Sequence, residues 1–165
     1  MRNKTLCLSV LLSTGLGLGL SLPAHAEEPL WKQPGWERID AQERAPASES
    51  DIEAVSLKPV ERNGITFLTG GIGVAERAWL ATQGRDYSLR IEMATAGRGA
   101  YVGGVLVRIL DAQGKPVLEA MSDGPLMYVR LPAGRYRLEA EAEGQTRSGT
   151  VSVVEGRQAR AYFSF

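Results

Sequence analysis

From Gly84 onward, apolar residues recur at every second position. Tyr87, Leu89, Ile91 and Met93 alternate with Ser88, Arg90 and Glu92. Val105, Val107 and Ile109 repeat the pattern, with Leu106 and Leu110 on the other face. Val117 and Leu118 form a short run. Met127, Val129 and Leu131 alternate with Leu126, Tyr128 and Arg130. Tyr136, Leu138, Ala140 and Ala142 alternate with Arg135, Arg137, Glu139, Glu141 and Glu143. Val151 and Val153 follow, and Ala159, Ala161, Phe163 and Phe165 close the chain. A period of two turns one face of each segment to a core and the other to water. The segments are separated by turn chemistry at Asp111-Ala112-Gln113-Gly114, Asp123-Gly124-Pro125, Pro132-Ala133-Gly134, Glu143-Gly144 and Glu155-Gly156. Short strands with turns every ~8–12 residues predict an all-β, seven-stranded antiparallel sandwich.

Upstream the pattern changes. Ile65–Leu68 is a short apolar run, and Gly70-Gly71-Ile72-Gly73 a flexible turn. Val74–Thr82 has helix formers, with Val74, Ala78 and Ala81 on one stripe and Ala75 and Trp79 beside it. It predicts the chain's one short helix, stopped by Gly84. Residues 27–63 hold Pro29, Pro34, Pro46 and Pro59, many charges and no lasting period. They read as a flexible, extended linker. Asp51–Val55 is too brief to predict an element. Trp31 and Trp36 are the linker's unusual residues: they pack onto the domain or form a docking peptide for a partner.

Residues 1–26 have the three parts of an export signal. Arg2 and Lys4 start it, Leu6–Leu22 is a glycine-softened apolar run, and Ala24-His25-Ala26 ends it. The run is shorter than the ~20 apolar residues of a membrane span. The expected mature chain is therefore exported, periplasmic in a Gram-negative cell, and does not span a membrane. The domain plan is signal peptide 1–26, linker 27–63 and sandwich 64–165.

Signal removal changes the chemistry available. The 165 residues contain 19 Lys+Arg, 19 Asp+Glu, one Cys and one His. Arg2, Lys4, Cys7 and His25 all leave with the signal, so the remaining 17 basic and 19 acidic residues give a net charge of −2. Near-neutral charge argues against nucleic acid as a partner. No thiol nucleophile, imidazole base or disulfide remains. A serine–lysine pair has only Lys32, Lys58 and Lys115 to draw on, two in the linker and one in a turn. Glu139, Glu141 and Glu143 share one strand face and read as solvated. Asp111 and Asp123 read as backbone-capping turn residues, and no D-x-D-x-D-G calcium loop occurs. The glycine-rich turn before the helix lacks the G-x-x-x-x-G-K-[ST] pattern of a phosphate loop. The expectation is no enzyme, no cofactor and no metal.

The run Val105-x-Val107-x-Ile109-x-Asp111-x-x-Gly114, then Ser122-Asp123-Gly124, then Leu131-Pro132-Ala133-Gly134-Arg135-Tyr136-x-Leu138 resembles the carboxypeptidase regulatory-like domain. Gly70-Gly71-Ile72-Gly73 with Ala75-Glu76-Arg77-Ala78 is similar to small exported bacterial proteins that carry it. The resemblance covers roughly residues 64–165. It implies a transthyretin-like (prealbumin-like) sandwich without a peptidase site. A hydrolase of the same fold, acting on a purine breakdown product, depends on histidines and another C-terminal motif; the ending Ala161-Tyr162-Phe163-Ser164-Phe165 implies that this activity is absent. Within the motif, Pro132 presets a turn and Gly134 is expected to take a positive φ.

Leu126, Tyr128 and Leu106 fall opposite the core faces. They are covered by the helix around Trp79 or form an apolar docking patch. The partner-binding candidates are therefore Trp31, Trp36, Leu126 and Tyr128. The expected function is a non-catalytic exported accessory or protein-interaction module. The alternative is a carbohydrate or cell-envelope polymer binder, with Trp31, Trp36, Trp79 and Tyr128 as its aromatic groove.

Overall fold

The structure is a computed structural model, which describes residues 46–96 and 102–165. All of them belong to one unit, Glu37–Phe165. Trp31, Trp36 and the expected signal lie outside the described residues.

The alternating segments form two facing sheets. The strands are β1 (Val60–Arg62), β2 (Ile65–Gly70), β3 (Leu89–Ala94), β4 (Leu106–Leu110), β5 (Pro116–Met121), β6 (Leu126–Arg130), β7 (Gly134–Ala142), β8 (Gln145–Val153) and β9 (Ala159–Ser164). One sheet has the order β1-β2-β6-β3-β9, the other β5-β4-β7-β8. The expected all-β sandwich is present, with nine strands among the described residues rather than seven. It is also not wholly antiparallel, because β9 runs parallel to β3. The chain leaves β8 in one sheet, turns at Glu155–Gln158 and enters the other.

The inward faces are those the period-two pattern assigns. Leu89, Ile91 and Met93 meet Val105, Val107, Ile109, Met127, Val129, Leu138, Ala140 and Phe163 in one core. Burying an aliphatic or aromatic side chain is worth about 1.5–3 kcal/mol, so this layer is the main source of stability.

A second, smaller core lies on the outer side of the first sheet. Helix α2 (Val74–Gln83) covers Leu68, Leu126 and Tyr128 there, with Leu80 and Tyr87 completing the cluster and Leu57 and Trp79 packed against it. Ala81 is exposed and Leu80 is the buried residue, so the expected Val74/Ala78/Ala81 stripe is not the helix's buried face. The face is set by Leu80, with Trp79 packed beside it against the second core.

Gly84 follows α2 but does not have the left-handed conformation of a stop glycine. Its φ is −73° and ψ −7°, and it opens a 3-10 turn, Gly84–Asp86. Its lack of a side chain has a packing reason. A Cβ at Gly84 would lie 2.3 Å from Cε1 of Tyr128.

Residues 46–63 are not the extended linker expected there. They hold helix α1 (Glu49–Glu53) and strand β1. Ser48 caps α1, its hydroxyl accepting from the Asp51 N–H at 3.2 Å. A local cap gives a five-residue helix no periodicity to detect. Strand β1 pairs with β2 from Val60 opposite Phe67 to Arg62 opposite Ile65. All three β1 side chains are exposed, so no apolar signal marks it.

The Leu131–Tyr136 motif works differently from the expectation. Gly134 is not among the positive-φ residues; it begins β7 as extended strand. The turn is held by Tyr136, whose hydroxyl donates to the Pro132 carbonyl at 3.0 Å. This is a tyrosine-corner bond, tying the start of a strand to the backbone four residues upstream. Ser122-Asp123-Gly124 has a comparable role. Ser122 Oγ accepts from the Val105 N–H at 3.1 Å, and the Asp123 N–H donates to Thr69 Oγ1 at 2.9 Å. A Cβ on Gly124 would meet the Gly70 carbonyl oxygen at 2.4 Å. The motif thus joins the two sheets by close backbone approach.

Candidate functional site

The two sides of the sandwich differ. On one side, β1 has only three residues, and the facing edge strand β5 starts with Pro116 and has a register shift opposite Ile109/Leu110. Arg62 donates to the Glu119 carbonyl across the gap between the sheets. Short length, proline and bulges all discourage further strand pairing. On the other side, the nine-residue β8 and the six-residue β9 lie side by side, and neither has a second hydrogen-bonded strand neighbour among the described residues.

Strand β9 has a regular edge. The Ala159 N–H donates to the Ser88 carbonyl and the Phe165 N–H to the Ala94 carbonyl. In a parallel ladder this phase turns odd-numbered residues toward β3 and leaves the N–H and C=O of Arg160 and Tyr162 pointing to the open edge. Their side chains stand on the outer face, while Ala159, Ala161 and Phe163 pack on the core. Tyr162 is 59% exposed.

Arg160 borders three recesses. On the outer face it lines one of about 250 Å³ with Arg90, Glu92 and Tyr162. Between β8 and β9 it lines one of about 420 Å³ with Leu138, Arg147, Gly149 and Phe163. Toward the β8–β9 turn it lines a third, about 360 Å³, with Val151, Val154 and Arg157. Arg157 also borders a cleft of about 490 Å³ at the end of the sandwich, with Arg85, Tyr87, Pro132 and Gln158. Arg90 is held by Glu92 at 3.0 Å and lies 5.8 Å from the centre of the Tyr128 ring. Arg147 Nε donates to the Ser164 carbonyl at 2.9 Å, closing that end of the β9 edge.

Of the two readings of Leu126 and Tyr128, coverage by the helix around Trp79 holds. Leu126 and Tyr128 are 3% and 2% exposed, because α2 lies over them. Burial pushes the hydroxyl pKa of Tyr128 up, with the nearby Arg90 and Arg160 opposing the shift. Tyr87 is raised for the same reason, opposed by Arg130, whose guanidinium lies 4.9 Å from its ring centre. Trp79 belongs to the same cluster, so neither it nor Tyr128 lines an open aromatic groove. Leu106 lies elsewhere, on β4 of the other sheet.

The remaining motifs serve the backbone. Glu76 accepts from the N–H groups of Gly71 and Ile72 at 2.8 and 3.2 Å, so the glycine-rich turn has its own internal anion. Asp111 accepts from the N–H groups of Gln113 and Lys115. The edge residues Arg157, Arg160 and Tyr162 were not identified as candidates from sequence. Their signal is the closing strand itself, in which Arg160 and Tyr162 alternate with Ala159, Ala161 and Phe163.

No family model matches the chain, and no curated protein is detectably similar to it in sequence. Among solved structures it is similar to 5-hydroxyisourate hydrolase of Klebsiella pneumoniae, at 18% identity and a TM-score of 0.39. The match covers 48% of this chain and 89% of that one. At this identity and TM-score the likeness carries no argument beyond itself; the two facing sheets agree with the expected all-β sandwich. The match corrects one expectation. The similar protein is named as an enzyme, so this comparison does not support the expectation of no enzyme.

Proposed function

We propose that the chain is an exported protein-interaction module, periplasmic in a Gram-negative cell, that takes an extended partner segment onto the free edge of β9. The observation that supports this reading is the outward-facing backbone of Arg160 and Tyr162 at the end of a five-stranded sheet. An added strand gains main-chain hydrogen bonds from such an edge and selectivity from the alternating side chains beside it. The exported reading rests on the signal pattern of residues 1–26. The carboxypeptidase regulatory-like reading rests on the Val105–Leu138 motifs and belongs to this proposal as well.

The edge is tested by Tyr162→Pro. Proline removes the outward N–H and its ring obstructs pairing, while the inward bonds of Ala161 and Phe163 to β3 are kept. Partner binding is expected to be lost with the circular dichroism spectrum unchanged. Retention of full affinity by a folded Tyr162→Pro chain would exclude β9 as the docking strand. Export is tested by osmotic-shock fractionation and N-terminal sequencing, with a mature start at Glu27 expected. A cytoplasmic, unprocessed chain would rule export out.

A further inference from the structure

Resting on that reading of the β9 edge, we infer that the segment it takes is acidic, with a carboxylate-bearing residue beside Arg160 and an apolar one two positions away beside Tyr162. The charge along the open side is one-sided. Strands β8 and β9 contain Arg147, Arg160 and no Asp or Glu, and Arg157 lies in the turn between them. The carboxylates that share a recess with Arg157 or Arg160 among the described residues are Glu92, held by Arg90 at 3.0 Å, and Asp86 and Glu155, which line the end cleft with Arg157. The guanidinium groups of Arg157 and Arg160 make no hydrogen bond or ion pair among the described residues; the Arg157 backbone N–H donates to the Val154 carbonyl at 3.3 Å. They therefore have charge-assisted bonds to offer a ligand without breaking bonds of their own.

The geometry of strand addition sets the spacing. A residue added directly opposite another lies about 4.5–5.5 Å away between Cβ atoms on the same face. Arg160 and Tyr162 share the outer face of β9, so the partner residues opposite them are two apart. One meets a guanidinium and the other the exposed ring of Tyr162. A second copy of this chain is a poorer occupant: antiparallel β9–β9 pairing in the register that sets Arg160 opposite Arg160 puts like charges directly across a strand pair, which is destabilising, and no other register supplies a carboxylate from β9 to meet Arg160.

The test uses the purified chain and two fluorescein-labelled ten-residue peptides. Both alternate Thr with a second residue, and one carries Glu-Thr-Val at its centre where the other carries Lys-Thr-Val. Anisotropy is expected to show at least tenfold tighter binding of the Glu peptide, with the preference shrinking as salt screens the charges. Arg160→Glu should reverse the preference, and Arg157→Glu should weaken it. Amide exchange at Arg160 and Tyr162 should slow when the Glu peptide is bound. Equal affinity for the two peptides, or an unchanged preference in both charge-reversal variants, overturns the acidic specificity while docking at β9 stands. No binding of either peptide overturns docking at β9 and the acidic preference with it. A concentration-dependent dimer protected at Arg160 and Tyr162 also overturns the inference, with a second copy as occupant.

Discussion

Gly84→Ala separates two opposite physical expectations. Gly84 has φ −73° and ψ −7°, an ordinary helical conformation. By backbone preference alone, alanine there should stabilise the chain by as much as about 0.5–1 kcal/mol, because glycine loses more freedom on folding. The packing predicts the reverse. An alanine Cβ would lie 2.3, 2.4 and 2.8 Å from Cε1, Cδ1 and Cζ of Tyr128. Carbon atoms pack at ~3.5–4.0 Å, so the ring must retreat by roughly 1.2 Å. It has little room to do so. Leu68, Leu80 and Leu126 surround it, Tyr87 meets it edge-on at 6.4 Å and 71°, and the Arg90 guanidinium is 5.8 Å away. Overpacking of this kind costs about 1–3 kcal/mol, and a net loss of ~2 kcal/mol is expected. Urea denaturation followed by far-ultraviolet circular dichroism measures it. The double variant Gly84→Ala with Tyr128→Ala should cost less than the two single changes added together, because the second change opens the space the first one needs. A stabilised Gly84→Ala chain, or full additivity in the double variant, would refute the steric argument.

Other consequences are simpler to check. Tyr136→Phe removes the bond to the Pro132 carbonyl and should lower stability by about 1 kcal/mol without changing the spectrum, as measured by urea denaturation. Leu57→Ala should lower it by about 1–2 kcal/mol, since Leu57 is partly buried against the second core; a midpoint unchanged from wild type would return residues 46–63 to a passive role. The three buried tyrosines predict alkaline sensitivity. Tyr87, Tyr128 and Tyr136 have pKa values raised from 10.0 by burial, so the folded state prefers the neutral phenol. That contribution is complete below pH 10, the ordinary value, and is lost as pH rises through the raised folded values. Tm should therefore fall progressively above pH 10, and a flat Tm through that range would contradict the burial argument.

What the sequence disclosed follows from which interactions leave a periodic trace. Inward residues such as Leu89, Ile91, Val107, Ile109 and Leu138 were legible because strand alternation and burial coincide there. Leu126 and Tyr128 were ambiguous for the same reason. They point away from the main core, and alternation cannot show whether an outer face is wet or covered. Only α2 decides it, through Leu80, which stood outside the predicted stripe. Strand β1 was hidden because its three residues are exposed, and α1 because a cap and not a repeat defines it. Gly84 and Gly134 show a further limit. Both stand at element boundaries, where a glycine signals special backbone, yet one is kept small by the Tyr128 ring and the other is extended strand. The β9 edge was not legible because strand order is a long-range property. Nothing local in Ala159–Ser164 tells that its neighbour is β3 and that no strand of the described residues lies beyond.

An open strand edge is a hazard as well as an opportunity, and the same residues bear on both. Unpaired N–H and C=O groups accept any extended chain, including a copy of their own. In the register that pairs Arg160 with itself, a second copy would meet like charge there, and Arg147 closes the far end by occupying the Ser164 carbonyl. Positive charge on this edge therefore opposes self-pairing and, by the same sign, favours an acidic segment. That coupling has a consequence for Arg160→Glu in isolation. Replacing one charge by the other keeps like-charge repulsion between two copies, so the variant should remain as soluble and monomeric as the original while its peptide preference reverses. Arg160→Val removes the repulsion without changing the edge hydrogen bonds. It should lose the preference between acidic and basic peptides and show concentration-dependent self-association by sedimentation. A monomeric Arg160→Val chain at concentrations near 1 mM, where a pairing energy of about 4 kcal/mol is detectable, would mean that something other than charge keeps copies of β9 apart.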